Sequence, residues 1–438
     1  MLRVMMLLLV LISPLQAAER IWWHNEDNAL NEAGRQLADL LLPEPDEMAG
    51  LSLAERDAWF SREWRKVLAA RARFAQYPLV PEHDEAGFDQ ALDRGELSAY
   101  LRRQQPDYPG YRQLKQHYHA LSEAVSMTTL PPGGEVRPGE RDRAIPALRQ
   151  RLTELGYSLA PPRGRADALD RGLSDILKGL QQANGLVPNG RLTADIRVML
   201  NRSSAELRQE LRHNLRRWLL LPPTAPAQFV LVNIPAYRLT LIQQYRPTLS
   251  MKVIVGRPDW PTPELGTHIK ALKVNPDWTP TANIIREDLL PAQRRDSGYL
   301  SRNGFGVWLP GGAERQDPGT IDWQQPPAGF RLVQAPGPDN ALGRFKFEMN
   351  NPFNIYLHDT PDKRLFGEAK RALSHGCVRL AEPGQLVQHL GWSLPEYQQT
   401  RILPARSPTP LFMVYFTAWV EQGRLVFAED IYRKNETI

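Results

Sequence analysis

Three apolar runs follow one another in the second half of the chain: Phe229-Val-Leu-Val-Asn233, Tyr237-Arg-Leu-Thr-Leu-Ile242 and Met251-Lys-Val-Ile-Val255. They are rich in β-branched residues and are bounded by turn residues at Pro235 and Gly256, which predicts a series of strands. The runs 269–274 and 353–357 predict further strands of the same sheet. Near the end, the runs 412–420 and 425–427 flank Glu421-Gln-Gly-Arg424, a pattern that predicts a hairpin. Residues 228–438 are therefore predicted to form a mostly β domain.

A long segment interrupts this β domain. Residues 279–343 carry several prolines and the tryptophans Trp308 and Trp323. An excursion of about 60 residues inside a sheet is usually functional rather than idle. We therefore predict that residues 279–343 form an inserted lid.

The part of the chain before the β domain has helical periodicity. Apolar residues recur every three or four positions in 29–42 and 51–77, which predicts a helical scaffold domain over residues 19–140. Residues 141–202 show three further apolar faces, and Thr193 is placed to cap the third helix, so a three-helix domain is predicted there. Residues 203–227 are predicted to be a connecting helix and linker. The fold class is multidomain α+β.

Composition excludes several functions. The chain has 438 residues, of which 42% are hydrophobic and 24% charged, an ordinary globular balance. Lys and Arg number 54 and Asp and Glu 49, and this net charge of +5 is spread along the chain, so nothing favours nucleic acid as a partner. The single cysteine excludes a disulfide framework, an iron–sulfur cluster and a cysteine-based zinc site within the chain. His117 and His119 are two residues apart and would point away from each other on a helix, so they are interpreted as ordinary histidines.

The first 18 residues have the pattern of a signal peptide. Arg3 precedes an apolar run over 4–12, and Ala17 and Ala18 offer small residues for cleavage. The apolar run is short for a membrane span, which needs about 20 residues. We therefore expect a periplasmic protein that is soluble rather than membrane-spanning after cleavage. The alternative is an uncleaved N-terminal anchor.

The chemistry-bearing residues lie late in the chain. A predicted strand ends at His358, and after a spacer of fifteen residues comes Ser374-His375-Gly376-Cys377-Val378-Arg379, which contains the only cysteine. A thiol with a pKa of about 8.5 is mostly protonated at neutral pH, so a nearby imidazole is needed to take its proton. Gly376 removes side-chain bulk beside the thiol, so that backbone N–H groups can face a developing oxyanion.

The alternative is that Cys377 is a small buried hydrophobic residue, as lone cysteines usually are. A histidine two residues away from a cysteine is also common by chance. The joint pattern of strand, histidine, fifteen-residue spacer and Ser-His-Gly-Cys-Val-Arg is much rarer. It favours a catalytic site.

This pattern resembles the signature of the YkuD-fold L,D-transpeptidases. Five further stretches resemble the large subfamily that has a helical scaffold, a peptidoglycan-binding domain and a capping insertion: Val253-Ile-Val-Gly256, Pro261-Thr-Pro263, Asn275-Pro-x-Trp278, Gly337-Pro-x-Asn340-Ala-Leu-Gly343 and Tyr415-x2-Ala418-Trp419. Residues 141–202 also resemble the small peptidoglycan-binding domain, through motifs such as Leu180-Gln181-x3-Gly185-Leu186 and Asn189-Gly190-x2-Thr193. As an alternative, residues 141–202 are a spacer only.

The resemblance implies that Cys377 is the nucleophile and His358 the general base. It implies that Ser374, His375 and Gly376 shape the turn that carries the nucleophile. The backbone N–H groups of His375, Gly376 and Cys377 are the candidate oxyanion donors.

Two further residues near the motif, Arg379 and Asp359, have more than one candidate role. Arg379 is expected to hold the turn rather than to contact substrate. Asp359 either orients the ring of His358 or is a carboxylate that faces solvent. The resemblance implies neither a metal nor an organic cofactor, and the sequence contains no His-Glu-x-x-His motif.

By the same resemblance, the expected reaction joins two peptidoglycan stem peptides. The enzyme attacks the bond between residues three and four of a tetrapeptide stem, releases D-alanine, and passes the acyl group to an amine of another stem, giving a 3→3 cross-link. An L,D-carboxypeptidase or a lipoprotein-to-peptidoglycan transferase would use the same acyl-enzyme with a different acceptor. The remaining alternative is a non-catalytic wall-binding protein. The expected partners are peptidoglycan stems and glycan, with other cell-wall synthases as further candidates and carbapenems as inhibitors.

Overall fold

The computed structural model describes residues 21–76, 83–121, 126–162, 164–393 and 399–435. The predicted signal peptide lies outside these residues. The described chain divides into two compact units, one made of residues 21–72 and 83–105, the other of residues 73–76 and everything from Pro106 onward. The domain boundaries derived from the sequence are finer than this division and stay predictions.

The first unit is helical. Its helices are α1 (Glu32–Leu41), α2 (Pro45–Met48), α3 (Leu53–Phe74), α4 (Glu85–Arg94) and α5 (Leu97–Gln104). The side chain of Asn31 caps α1 by accepting a hydrogen bond from the Gly34 N–H at 2.8 Å. Large aromatic side chains fill its core, among them Trp23, Phe60 and Phe88. The helical character predicted for this part of the chain is confirmed.

The second unit begins with five helices. They are α6 (Pro109–Ala120), α7 (Ala144–Glu154), α8 (Arg171–Ala183), α9 (Ala194–Leu200) and α10 (Ser204–Trp218). The three helices predicted from the apolar faces are α7, α8 and α9, whose buried residues include Leu148, Leu177 and Ile196. Thr193 caps α9 as predicted, accepting from the Ile196 N–H at 3.4 Å.

The rest of the second unit is built on a nine-stranded sheet. The strands of the chain are β1 (Gln228–Asn233), β2 (Arg238–Gln243), β3 (Arg246–Gly256), β4 (Leu265–Val274), β5 (Phe305–Trp308), β6 (Arg331–Gln334), β7 (Phe345–Met349), β8 (Leu357–His358), β9 (Ala372–Ser374), β10 (Val378–Leu380), β11 (Arg401–Val414), β12 (Ala418–Glu421) and β13 (Arg424–Phe427). The order in the sheet is β10-β8-β7-β4-β11-β1-β2-β3-β9, and β10 also pairs with β3. This extra pairing closes the sheet on itself, which leaves fewer unpaired strand edges. Alternate residues such as Val230, Leu239 and Val253 are buried in its core.

Two strand predictions are corrected by the structure. Residues 353–356 form a loop, and the strand β8 starts only at Leu357. The side chain of Asn351 accepts hydrogen bonds from the N–H groups of Phe353 (3.0 Å) and Ile355 (3.1 Å), and so replaces the ladder that a strand would need.

The run 412–420 is likewise not one strand. β11 ends at Val414 and β12 begins at Ala418. Between them, side chains take the backbone donors: Asn233 accepts from the Phe416 N–H and Asn214 from the Thr417 N–H. The predicted hairpin itself is present as β12 and β13.

The segment 279–343 has secondary structure and a core of its own. It contains α11 (Ala282–Ile284), a π-helical turn (Ile285–Leu289), α12 (Leu290–Arg295), α13 (Tyr299–Arg302) and the β5–β6 pair. Its buried core includes Leu300, Val307 and Trp323. One more helix, α14 (Pro383–His389), follows β10. Within the described residues, no helix has the length and apolar character needed to cross a membrane.

Candidate active site

The Ser-His-Gly-Cys turn connects β9 to β10, at the point where the sheet closes. Gly376 has φ +105°, a conformation that other residues rarely adopt, and a Cβ added there would lie 2.9 Å from Ile355 Cδ1. Ser374 Oγ accepts from the Gly376 N–H at 3.1 Å and donates to the Cys377 carbonyl at 2.6 Å. Buried Thr262 donates to the Gly376 carbonyl at 2.7 Å. Hydrogen bonds from Ser374 within the turn and from Thr262 outside it therefore hold the conformation of the turn.

These contacts narrow the choice of oxyanion donors. The Gly376 N–H is bound to Ser374 Oγ inside the turn, so its predicted role as a donor to substrate does not fit this geometry. The N–H groups of His375 and Cys377 remain as candidates. Ser374 has the turn-shaping position that the sequence predicts.

Strand pairing brings His358 beside the nucleophile turn. β8 and β10 are parallel, with Leu357 opposite Val378 and His358 opposite Arg379. The Val378 N–H donates to the Tyr356 carbonyl at 3.1 Å, which places Cys377 next to Tyr356. Because side chains alternate along a strand, Cys377 and Arg379 share the face on which Tyr356 and His358 lie. Cys377 and His358 both line one cavity of about 970 Å³.

Burial keeps both reactive groups neutral. His358 is 4% exposed, and burial, aided by the charge of Arg379, lowers the pKa of its imidazole to about 3. Burial also raises the pKa of the Cys377 thiol to about 11, against the opposing effects of Tyr356, Lys346 and Arg379. At neutral pH the pair is a thiol and a neutral imidazole. An imidazole in that state can accept a proton as the sulfur attacks.

Tyr356 is a site residue that the sequence analysis missed. It lies near the side chains of Cys377 and Trp278, and burial, with the charge of the Cys377 thiolate, raises the pKa of its hydroxyl. Its ring lies 5.6 Å from that of His358 and 4.3 Å from Lys346 Nζ. The signal was present in the sequence, because Tyr356 is two residues before His358 and therefore on the same face of an extended chain.

Arg379 lies closer to the chemistry than the sequence analysis expected. It lines the cavity with Cys377 and His358, and burial lowers the pKa of its guanidinium. This placement is compatible with contact to substrate, and the turn-holding role expected of Arg379 stays a prediction.

Asp359 follows neither predicted alternative. Its carboxylate is 13% exposed and accepts from the Thr360 N–H (2.8 Å), the Arg344 N–H (2.8 Å) and Lys363 Nζ (2.6 Å). It therefore braces the segment at the end of residues 279–343. Strand alternation turns it away from the face that carries the ring of His358.

His375 points toward residues 279–343. Its Nε2 lies 3.0 Å from Asp288 Oδ2, and its ring packs edge-on against Trp260 at 5.5 Å. Burial lowers the pKa of His375, and Asp288 opposes this shift. No sequence signal connected Asp288 with the turn, since 85 residues lie between it and Ser374.

The opposite wall of the cavity comes from residues 279–343. Apolar and polar side chains are mixed there, the larger apolar ones being Ile284, Leu289, Tyr299 and Phe305. A cavity with apolar walls and a few polar groups near the reactive side chains is common in small-molecule and peptide sites. Among the described residues, no three His, Cys, Asp or Glu side chains are grouped as metal ligands would be.

A second cavity of about 580 Å³ lies between α8 and strands β2, β3, β12 and β13. Two of its arginines are already engaged. Arg238 pairs with Glu421 at 2.8 Å, and buried Arg371 donates to the carbonyls of Glu368 (2.8 Å) and Val253 (3.3 Å). His117, outside both cavities, has Nε2 3.2 Å from the Gly423 carbonyl.

Comparisons with known proteins agree with the catalytic fold. Residues 227–397 match the family model of the YkuD L,D-transpeptidase catalytic domain. A curated protein of Haemophilus influenzae, named "Putative L,D-transpeptidase", is 35% identical over 274 residues, which cover 59% of this chain and 55% of that protein. The chain thus spans about half the length of the curated relative that it matches.

Solved structures with low similarity were also found. An L,D-transpeptidase from Xylanimonas cellulosilytica is 12% identical, with a TM-score of 0.23, covering 65% of this chain and 98% of that one. L,D-transpeptidase 3 from Mycobacterium tuberculosis, in complex with a faropenem-derived adduct, is 13% identical, with a TM-score of 0.24 and coverage of 44% and 61%. The family match ends beyond the Ser-His-Gly-Cys turn, so residues 227–397, with the candidate site, are similar to the YkuD family of L,D-transpeptidase catalytic domains.

Proposed function

We propose that this protein is an L,D-transpeptidase that forms 3→3 cross-links in peptidoglycan through a thioester on Cys377. The observation that carries the proposal is the position of the only cysteine beside the buried, neutral His358, in a cavity of about 970 Å³. The family acts on peptidoglycan. That the donor is a tetrapeptide stem and the acceptor an amine of another stem is what we propose for this protein.

In the first half-reaction, Cys377 Sγ attacks the carbonyl carbon of the third residue of a tetrapeptide stem, and His358 accepts the thiol proton. The N–H groups of His375 and Cys377 donate to the oxyanion. His358 then returns the proton to the departing amine, and D-alanine leaves. Arg379 and the Tyr356 hydroxyl face the same cavity, where they can hold polar groups of the donor.

In the second half-reaction, the side-chain amine of another stem attacks the thioester carbon. His358 takes a proton from this amine, the new amide forms, and the Cys377 thiol is regenerated. The apolar side chains of residues 279–343 that cover the cavity favour an amine acceptor, because they limit access of water to the thioester.

The test uses the mature protein and purified tetrapeptide-rich muropeptides, with products identified by mass spectrometry. A 3→3 dimer with free D-alanine supports the proposal. A tripeptide alone indicates an L,D-carboxypeptidase, and acyl transfer to an added lipoprotein amine indicates the transferase alternative. Absence of any product, with normal binding to sacculi, indicates a wall-binding protein.

The same product assay, combined with alkylation of Cys377, tests the role of residues 279–343 as a lid. Replacing 286–334 with a short Gly-Ser linker should depress transfer far more than simple alkylation of Cys377. Equal rates of transfer by the wild-type protein and the linker variant would contradict a lid. The helices of residues 141–202 are proposed to bind peptidoglycan, and a variant without them should bind sacculi less well.

The proposed location is the periplasm, where peptidoglycan lies, and the proposed partners include other wall synthases. Fractionation of cells that express the full chain tests the location. Recovery of the protein in the cytoplasm would contradict it.

A further inference from the structure

Residues 279–343 touch the nucleophile turn through one π-helical turn. Within Ile285–Leu289, Asp288 Oδ2 lies 3.0 Å from Nε2 of His375. The preceding residue, Glu287, lies 3.7 Å from the guanidinium of Arg257, which follows β3. Single π-helical turns are rare and frequently occur at functional sites. Two neighbouring acidic residues of this turn thus lie close to His375 in the nucleophile turn and to Arg257 after β3.

Asp288 approaches the ring of His375, and the ring of Trp260 also packs against it. The ring of Trp260 packs edge-on against His375 at 5.5 Å, and the Arg257 guanidinium lies 6.0 Å from the centre of the same tryptophan. The side chain of His375 is 15% exposed and that of Asp288 44% exposed. Even if His375 is protonated, a pair this exposed adds little to the stability of a fold, so any larger consequence of the contact must come from the geometry it sets.

That geometry matters because His375 is directly bonded to Gly376 and is two residues from Cys377. The His375 and Cys377 N–H groups are the remaining candidate oxyanion donors, since the Gly376 N–H is bound to Ser374. A rotation of His375 therefore moves one donor directly and the other through the φ +105° linkage at Gly376. A misplacement of about 1 Å in such a site can cost about 100-fold in rate.

We propose that Asp288 is a positioning residue that holds the nucleophile turn in its reactive shape through His375. Residues 279–343 then do more than cover the cavity. Their closure completes the oxyanion site, and a displaced π-helical turn leaves Cys377 present but poorly able to form a tetrahedral intermediate. This inference rests on the proposed function, because it concerns acylation of Cys377.

The groups that face His375 fix the sign of its titration. Asp288 and Glu287 favour its protonated form, whereas Arg257 and Arg379 disfavour it, and burial lowers its pKa. Removing the charge of Asp288 removes a favourable partner of the imidazolium. The pKa of His375 should therefore fall in Asp288→Asn.

The experiment compares two reactions of Cys377 in the full-length protein. Acylation by a carbapenem or by a tetrapeptide stem passes through an oxyanion, whereas alkylation by iodoacetamide does not. Loss of a whole oxyanion donor costs about 10²–10³-fold in rate. Asp288→Asn only displaces the donors, so it should slow acylation by a smaller factor, about tenfold or more. Alkylation should stay within about twofold, since the thiol and His358 are untouched. Asp288→Glu should restore part of the acylation rate.

Asp296→Asn is the matched control. Asp296 lies in the same segment and pairs with Arg302, away from the turn, so its variant should be acylated at the wild-type rate. Acylation of Asp288→Asn at the wild-type rate would overturn the inference. Equal losses in acylation and alkylation, or an unchanged pKa of His375 by NMR titration, would also overturn it. If the wild-type protein itself is not acylated, the proposed function fails, and this inference fails with it.

Discussion

Replacing His358 with alanine should expose how strongly burial suppresses the thiolate of Cys377. Burial raises the pKa of this thiol to about 11. With this pKa, only about 10⁻⁴ of the molecules carry a thiolate at pH 7, so efficient attack needs a base that takes the proton as the sulfur attacks. Acylation of His358→Ala should therefore fall by up to about 10⁴-fold at pH 7, the upper end of the usual cost of losing a general base.

The pH dependence gives a sharper test than the rate at one pH. In His358→Ala, the acylation rate should rise about tenfold per pH unit from pH 7 toward pH 10, because it follows the thiolate fraction. In the wild-type protein, His358 has a pKa of about 3 and is neutral throughout this range, so the rate should change little between about pH 5 and pH 8. The assay is stopped-flow acylation by a carbapenem, checked by intact mass.

His389→Ala serves as the control, because His389 is a histidine in the last turn of α14 that lies outside the cavity. It should keep the wild-type rate and profile. A His358→Ala variant that retains more than about a tenth of the rate at pH 7 would refute the base assignment, given the usual cost of about 10²-fold or more. So would a flat profile in that variant, which would mean that another group takes the proton.

Three more predictions follow from the same site. Cys377→Ala should form no product and show no carbapenem mass shift while keeping the wild-type melting temperature; retention of even a tenth of the activity by this variant would contradict a nucleophilic Cys377. Gly376→Ala should lose most acylation and be less stable by about 1–2 kcal/mol in chemical denaturation, because alanine is strained at positive φ and its Cβ would meet Ile355; a fully active variant would show that the turn tolerates another shape. The lowered pKa of His358 means that the unfolded state binds a proton that the native state refuses, so wild-type stability should fall by about 1.4 kcal/mol per pH unit as pH drops below about 6.5 toward 3, and His358→Gln should reduce this slope; identical slopes would contradict a buried neutral imidazole.

Local patterns in the sequence were sufficient for the elements with clear periodicity. The apolar faces of α7, α8 and α9 and the β-branched runs of β1 and β2 predicted those elements at nearly their observed positions, whereas β3 starts five residues before the run that predicted it. Prediction failed where side chains replaced the backbone ladder. Asn351 turns residues 353–356 into a loop, and Asn214 and Asn233 interrupt the run 412–420. The sequence does not show which Asn will bond to a backbone group, because that depends on which strands are neighbours.

The sequence by itself determined the chemistry of this protein: a single thiol in a glycine turn, a histidine at a strand end, and the spacing that resembles the L,D-transpeptidases. Only the tertiary structure decided which groups lie near that thiol. The parallel pairing of β8 with β10 brings Tyr356 to Cys377, and the folding of residues 279–343 brings Asp288 to His375. Burial, which only a packed structure creates, keeps both Cys377 and His358 neutral. Residue identity sets the chemistry that a side chain can perform. Long-range contacts set its neighbours and its solvation, and these decide whether that chemistry is possible in the folded protein.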